Sequence, residues 1–209
     1  MKNMTSTTIS ERRWPTAMAV LIVALLATDA HAFESPTYAV LYEDGPFELR
    51  QYDAFLVAQV NVSGDPESAG NAAFPALAGY ISGDNNTNTK ISMTTPVQQL
   101  VAHDNQVVAF MMPAKWQIDT LPAPDDESVR ITTVPPRIIA SYRYRGNWTE
   151  KRFRQFEKRL LDAVSASDYR ICGGPMWARY NPPFWPSMLR RNEVQYVVSK
   201  EACPGGNSP

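Results

Sequence analysis

The feature that most constrains the fold is a pattern that occurs twice along the chain. The apolar run Leu56–Ser63 is followed by Gly64 and a helical pattern, and Ile139–Arg145 is followed by Gly146 and another helical pattern. Each helix is followed by two further strand candidates, since short apolar or alternating runs bounded by Gly, Pro, Asn and Asp predict strands. The sequence therefore predicts an α+β domain of two strand–helix–strand–strand halves, with two helices covering the strands.

The first predicted helix has clear start signals. Asp65 is a good N-cap, and Pro66 takes the first helical position, where its missing N–H does no harm. Pro75 lies inside the helix and predicts a kink, because its ring clashes with the preceding turn. The apolar face is formed by Ala69, Ala73, Ala76, Leu77 and Tyr80, with Phe74 and Ile81 beside it.

The second predicted helix is amphipathic. Asn147 and Glu150 are spaced as a capping box, which places the helix start there. Its apolar stripe predicts packing against the core rather than contact with a cofactor. The stripe consists of Phe153, Phe156, Leu160, Ala163 and Val164.

The strand candidates are separated by turn residues and prolines. In Lys90–Val97, alternation predicts a half-buried strand, and Pro96 places that strand at an edge or a bulge. Residues 114–127 predict an irregular connection rich in Pro and Asp. The candidate strands cover residues 38–42, 46–52, 55–62, 90–101, 107–113, 129–134, 138–144, 176–181 and 193–199.

The first 32 residues have the pattern of a signal peptide. Lys2, Arg12 and Arg13 precede the apolar run Ala17–Ala27, and Ala30-His31-Ala32 forms a cleavage site. The run of eleven residues is too short to span a bilayer as a helix. The prediction is a cleaved signal peptide at 1–32 and a periplasmic or secreted domain at 33–209. A twin-arginine signal and a retained membrane anchor stay open as alternatives.

The two cysteines, Cys172 and Cys203, both lie in the predicted mature chain. An oxidising compartment favours a disulfide between them, and two free buried thiols are the alternative. If strands 176–181 and 193–199 are antiparallel neighbours with Tyr180 opposite Gln195, the same register places the cysteines opposite each other. Their Cα atoms would then lie within the separation of about 4.4–6.8 Å that a disulfide requires.

The residues of the mature chain argue against common enzymes. Its one histidine, His103, lies in a predicted turn without a neighbouring nucleophile. Neither metal-ligand spacing nor a glycine-rich phosphate loop occurs. A formal net charge of −1, without a basic cluster interleaved with aromatic residues, does not indicate a nucleic-acid partner. The prediction is a non-enzymatic protein without a metal site, although an unusual enzyme stays open.

The segment Asn181–Arg191, here called the late loop, is unusually apolar for a connection between strands. Large side chains in its proline-stiffened tip predict either packing over the strand ends or an exposed ligand surface. Arg190 and Arg191 beside them have the forked donors that bind carboxylates. A planar apolar ring bearing two propionates fits this description. The alternative is a loop packed on its own sheet with solvated arginines.

Several separated motifs resemble the SOUL haem-binding protein family. The resemblance covers roughly residues 38–199 and implies a distorted antiparallel β-barrel with two helices and pseudo-two-fold symmetry. This fold is shared with effector-binding domains of bacterial regulators. The resemblance also implies haem or another tetrapyrrole as a ligand near the first helix and the late loop. The motifs are Phe47–Tyr52, Tyr80–Asn85, Lys90–Val97, Ala178–Pro183 and Leu189–Val194.

The resemblance also suggests how the ligand is held. Some members have a histidine directly after the arginine of the motif Phe47-Glu48-Leu49-Arg50, where this chain has Gln51. Because glutamine is a poor iron ligand, the expectation is that the protein encloses the ring without a strong axial ligand. Together with the predicted export, this suggests a periplasmic carrier or buffer. A binding module for other amphiphilic small molecules and an enzyme are the alternatives. The expected contacts are Phe74, Leu77, Trp185, Met188, Leu189, Arg190 and Arg191.

Overall fold

A computed structural model describes residues 33–101 and 105–203. The predicted signal peptide, its cleavage site after Ala32, and His103 lie outside these residues. The helices are α1 (Pro66–Ser82) and α2 (Glu150–Ser165), with a short 3-10 turn at Ser187–Leu189. The strands are β1 (Tyr38–Asp44), β2 (Phe47–Tyr52), β3 (Phe55–Ser63), β4 (Val97–Leu100), β5 (Asn105–Met111), β6 (Arg130–Val134), β7 (Arg137–Arg145), β8 (Arg170–Arg179) and β9 (Arg191–Ser199).

The strands form one antiparallel sheet in the order β1-β2-β7-β9-β8-β4-β5-β3-β6. The α+β class with two helices is therefore confirmed. Among the described strands the sheet is not closed, since β1 and β6 are its two edges, and the expected barrel is therefore not confirmed. The β4–β8 pair divides the sheet into two similar series of strands. On one side the order is β8-β9-β7-β2, and on the other side the strands β4-β5-β3-β6 occupy the equivalent positions. This order agrees with two equivalent halves, whose pseudo-two-fold relation in space stays a prediction.

The two helices differ in how well the sequence predicts their starts. In α1 the Asp65 carboxylate accepts the backbone N–H groups of Glu67 and Ser68, as expected of an N-cap. The N-cap of α2 is Thr149, not Asn147, because the chain remains in a loop until Glu150. The Thr149 hydroxyl accepts the N–H three residues later, which gives the helix a different capping bond from the predicted one.

Each helix buries its apolar face on a different part of the sheet. The face of α1 packs with Ala58, Val60, Val108 and Phe110 of β3 and β5, and that of α2 packs with residues of β7, β8 and β9. Burial of each large apolar side chain contributes about 1.5–3 kcal/mol. The predicted apolar faces of both helices are thus confirmed as core. The α2 cluster includes Phe153, Leu160, Val164, Ala140, Trp177, Val194 and Tyr196.

The predicted strand at residues 90–101 is mostly wrong, since only Val97–Leu100 enters the sheet. The preceding backbone has other partners. The N–H of Ile91 donates to the carbonyl of Ile81 at the end of α1, at 2.8 Å. The N–H of Thr95 donates to the carbonyl of Glu34, also at 2.8 Å. These bonds satisfy the backbone outside the sheet, so the alternation of side chains does not produce a strand.

The Cys172–Cys203 disulfide is present, with Cα atoms 5.2 Å apart. The register used to predict it is wrong, because Gln195 pairs with Met176 and not with Tyr180. Two bulges interrupt β8 between Ile171 and Met176, and each shifts the pairing with β9. Cys203 lies beyond the end of β9, after bends at residues 200 and 201. The bridge therefore joins the bulged part of β8 to the chain after β9 and not to a facing strand position.

Candidate ligand-binding surface

The late loop exposes its apolar residues instead of packing them over the sheet. Phe184 is 82% exposed, Met188 74%, Leu189 50% and Trp185 43%. Four large apolar side chains on one short connection form the kind of patch that marks a binding surface. Of the two possibilities left open by the sequence, packing over the strand ends is not what the structure shows, since these side chains are exposed.

Arg190 closes the late loop on itself. Its Nε donates to the carbonyl of Trp185 at 2.8 Å, and Nη2 donates to the carbonyl of Pro183. Its guanidinium also lies over the Trp148 ring, 4.8 Å from the centroid, in a cation–π contact. Arg190 therefore shapes the patch and places a positive charge beside it.

Arg191 is directed towards the protein rather than towards the patch. Its Nε and Nη2 donate to the Glu193 carboxylate at 3.1 and 2.6 Å, and its guanidinium lies 4.1 Å from the centre of the Tyr180 ring. Because an internal carboxylate already balances its charge, Arg191 is the weaker candidate for binding a ligand carboxylate. The two arginines, treated alike in the sequence analysis, thus have different roles.

Glu193 is the centre of a buried polar network that the sequence analysis missed. Arg50 donates to its carboxylate at 2.6 and 3.0 Å, and Ser141, Tyr180 and Gln195 donate at 2.8 to 2.9 Å. Burial alone would raise the pKa of Glu193, but the hydrogen bond and charge of Arg50, followed by those of Arg191, lower this pKa to about 2. The one available signal was that Arg50 and Glu193 both fall in motifs shared with the family.

The two candidates on α1 have opposite environments. Phe74 is 46% exposed and makes an edge contact with Phe110, with ring centres 5.7 Å apart. Leu77, in contrast, is completely buried in the core beneath α1 and has no surface to offer a ligand. Helical geometry explains the difference in exposure. With 3.6 residues per turn, side chains three residues apart point in directions that differ by about 60° around the helix axis.

A set of stacked side chains connects α1 to the late loop. The Arg179 guanidinium lies over the rings of Trp177 and Trp148, at 4.3 and 5.2 Å from their centres, while Arg190 contacts Trp148 from the loop. On α1, Gly70 lies so close to Arg179 that any side chain there would collide with it. Burial lowers the pKa of Arg179 to about 10. Trp148 therefore lies between the first turns of α1 and the loop.

The described residues lack two of the side chains that commonly ligate haem iron. They contain no histidine, and both cysteines are in the disulfide. Gln51 is half-buried and its amide donates to the carbonyls of Tyr52 and Arg137, at 3.1 and 3.4 Å. No group of three or more His, Cys, Asp or Glu in this part of the chain is arranged to hold a metal ion. The histidine and thiolate ligands that commonly hold haem iron are therefore absent from the described residues.

Comparison with solved structures identifies the fold. The C-terminal domain of EcmrR is similar, with a TM-score of 0.59 at 12% identity over 77% of this chain and 99% of that one. An uncharacterized conserved protein from Listeria innocua has a TM-score of 0.55 at 11% identity, covering 73% of this chain and 92% of that one. Among the described residues, no helix has the length and hydrophobicity needed to cross a membrane.

Sequence comparison identifies the family. Heme-binding protein 1 of Xenopus laevis is 27% identical over 164 residues, which cover 72% of this chain and 83% of that protein. Heme-binding protein 1 of Bos taurus is 29% identical over 168 residues, covering 74% and 84%. The family profile described as SOUL heme-binding protein matches residues 33–197. With most of its length matched, the chain belongs to the SOUL heme-binding protein family.

Proposed function

We propose that this protein binds haem or a related tetrapyrrole, without catalysing its conversion, and acts as an exported carrier or buffer of that ligand. The binding surface is the exposed apolar patch of the late loop, with Trp148 beside it and the exposed Phe74 of α1 as a further contact. The observation that carries the proposal is the exposure of four large apolar side chains on one loop. The relatives named Heme-binding protein 1 supply the ligand class.

The patch has enough apolar surface for useful affinity. Each large apolar side chain that becomes buried against a ring contributes about 1.5–3 kcal/mol. Four such residues together contribute about 6–12 kcal/mol before the cost of association is subtracted. Subtracting the smallest association cost, about 4 kcal/mol, leaves at most about 8 kcal/mol. A micromolar dissociation constant is therefore the tightest expected without an axial bond.

The propionates have one favoured partner on the patch. Arg190 donates to the backbone carbonyl of Trp185 within the loop, whereas Arg191 is already paired with Glu193. Because Arg190 is partly solvated and also closes the loop, its contribution to binding a carboxylate is modest. Comparison of haem with its dimethyl ester on the unaltered protein isolates this contribution, since the ester lacks the charges and no side chain is changed. Haem should bind several-fold more tightly than the ester.

The direct test is a haem titration of residues 33–209, followed in the Soret region. We expect saturation at one haem per chain. Trp185→Ala should weaken binding about tenfold or more, because loss of about 1.4 kcal/mol or more is expected from an aromatic contact. Leu41→Ala is the matched control, since Leu41 is 47% exposed but lies on β1. Non-saturating uptake, or equal weakening by both variants, would contradict the proposal.

A further inference from the structure

A second cavity, which shares no residue with α1 or the late loop, opens between the N-terminal segment and the end of β5. Its volume is about 430 Å³, within the range of sites for small organic molecules. It lies between residues 34–37, the start of β3 at Phe55, and the connection that follows Met112. The cavity is therefore not part of the proposed haem-binding surface.

The walls of this cavity are held in place by Glu34. Its backbone carbonyl accepts the N–H of Thr95, and its carboxylate Oε1 accepts the N–H of Ala114, both at 2.8 Å. The hydroxyls of Ser35 and Thr95 also lie within hydrogen-bond distance, at 3.0 Å. Three separate segments are thus joined around the opening, so little ordering remains to be done when a ligand enters.

The lining combines aromatic, aliphatic and sulfur-containing side chains. Phe55, Met111, Met112, Trp116 and Ile118 form the apolar part, and Ile118 is 52% exposed at the mouth. Methionine side chains adapt to ligands of different shape, and aromatic rings attract cations through their negative faces. Such a surface suits a ligand with an aromatic or aliphatic body.

The charge of the lining is entirely negative. Glu34 and Asp53 are its charged members, and no lysine, arginine or histidine lines the cavity. Both residues are exposed, and the Asp53 carboxylate has no hydrogen bond or ion pair with residues 33–101 and 105–203. Lys115 and Arg137 lie over the rings of Trp116 and Phe55, at 5.3 and 5.5 Å from the ring centres, and neither pairs with the two carboxylates.

We propose that this cavity is a binding site for an organic ammonium ion with an apolar body. The body occupies the space between Phe55, Trp116 and the methionines, and the ammonium group lies at the carboxylates of Asp53 and Glu34. A ligand with two carboxylates, such as haem, is repelled here by the same charges. The site is therefore separate from the surface of the late loop in both position and ligand charge.

Three probes that differ in one functional group test the proposal: phenylbutylamine, phenylbutanol and phenylbutyrate. The readout is the indole N–H of Trp116 in proton–nitrogen correlation spectra, assigned with Trp116→Phe. We expect the amine to bind most tightly and the carboxylate least. Each carboxylate of the site should favour the amine over the alcohol by about two- to fivefold, as for a partly solvated ion pair.

Charge variants establish which groups recognise the ammonium. Asp53→Asn should reduce the preference for the amine, and Asp53→Lys should reverse it in favour of phenylbutyrate. Glu34→Gln should also reduce it, while glutamine retains an oxygen for the N–H of Ala114. Glu43→Gln, an exposed change on β1, is the control and should leave the preference unchanged. Absence of any Trp116 shift at millimolar probe, or a preference that survives Asp53→Lys, would overturn the proposal.

Discussion

Replacing Glu193 by glutamine should destabilise the protein strongly, even though the two side chains have the same shape. The Glu193 carboxylate is completely buried and accepts bonds from both Arg50 and Arg191. In a glutamine, the amide NH₂ group would face the N–H groups of Arg50 and Arg191, so two donors would meet without an acceptor. The ion pair with Glu48 would then be the one that Arg50 retains. Removing one member of a buried ion pair costs about 3–5 kcal/mol, which is the loss expected in the free energy of unfolding at neutral pH.

The pH dependence gives an independent estimate of the same interaction. The pKa of Glu193 falls from its ordinary 4.5 to about 2 in the folded protein. Because the folded value is the lower one, the stabilisation is fully present above the unfolded pKa. It is lost as the pH falls from about 4.5 towards 2, and it corresponds to about 3 kcal/mol. The two estimates agree in size.

Urea unfolding of the disulfide-bonded mature chain, followed by tryptophan fluorescence, measures both effects. The unaltered protein should lose about 2 kcal/mol of the Glu193 contribution between neutral pH and pH 3, and Glu193→Gln should not. Asp162→Asn is the control, because Asp162 forms an exposed pair with Lys158 and should change stability little. The reasoning is refuted if Glu193→Gln unfolds within about 1 kcal/mol of the unaltered protein, or if both lose equal stability in acid.

Three further predictions concern the disulfide, iron ligation and export. Replacing Cys172 and Cys203 by serine should lower the free energy of unfolding, measured in urea, by about 3–4 kcal/mol. This is the loss of chain entropy calculated for a disulfide between cysteines 31 residues apart. His103→Ala should leave the Soret and visible bands of the haem complex unchanged, so a change of spin state would show that this side chain ligates iron. Export should remove residues 1–32, and the intact mass of the exported protein should begin at Phe33; a mass that retains the leader would contradict cleavage.

The sequence predicted the start of α1 well, because a helix N-cap depends on residues that are close together along the chain. Asp65 and Pro66 marked the start of α1, because an N-cap bonds residues only two or three positions away. The alternation in Lys90–Val97 failed because its backbone partners, Ile81 and Glu34, are set by tertiary contacts. The start of β8 was missed since Gly173 and Gly174 there resemble a turn but form bulges.

The candidate surface was predicted in part. The composition of the late loop, with Trp185 and Met188 in a connection stiffened by prolines, identified the segment but left open whether its side chains are packed or exposed. Their exposure is known only from the structure. The separate roles of Arg190 and Arg191 were not predicted, although Arg191 and Glu193 are two residues apart on β9, because the sequence analysis did not recognise Glu193 as a buried carboxylate. Arg50 and Glu193 are 143 residues apart in sequence, and no local pattern indicates such a pair.

The strand order has a consequence for how the chain folds. The β1–β2 hairpin is made near the beginning of the described chain, yet its neighbour in the sheet is β7, and Gln51 and Arg137 across that junction are 86 residues apart. Closing such a long loop reduces the conformational entropy of the chain before the contacts between β2 and β7 can compensate. Folding should therefore take milliseconds or longer. Until β7 and β9 are in place, the side chains of Arg50 and Glu48 remain in water, and the β2 edge that pairs with β7 remains unpaired. Fragments that end before β9 should therefore associate with one another instead of reaching a stable fold.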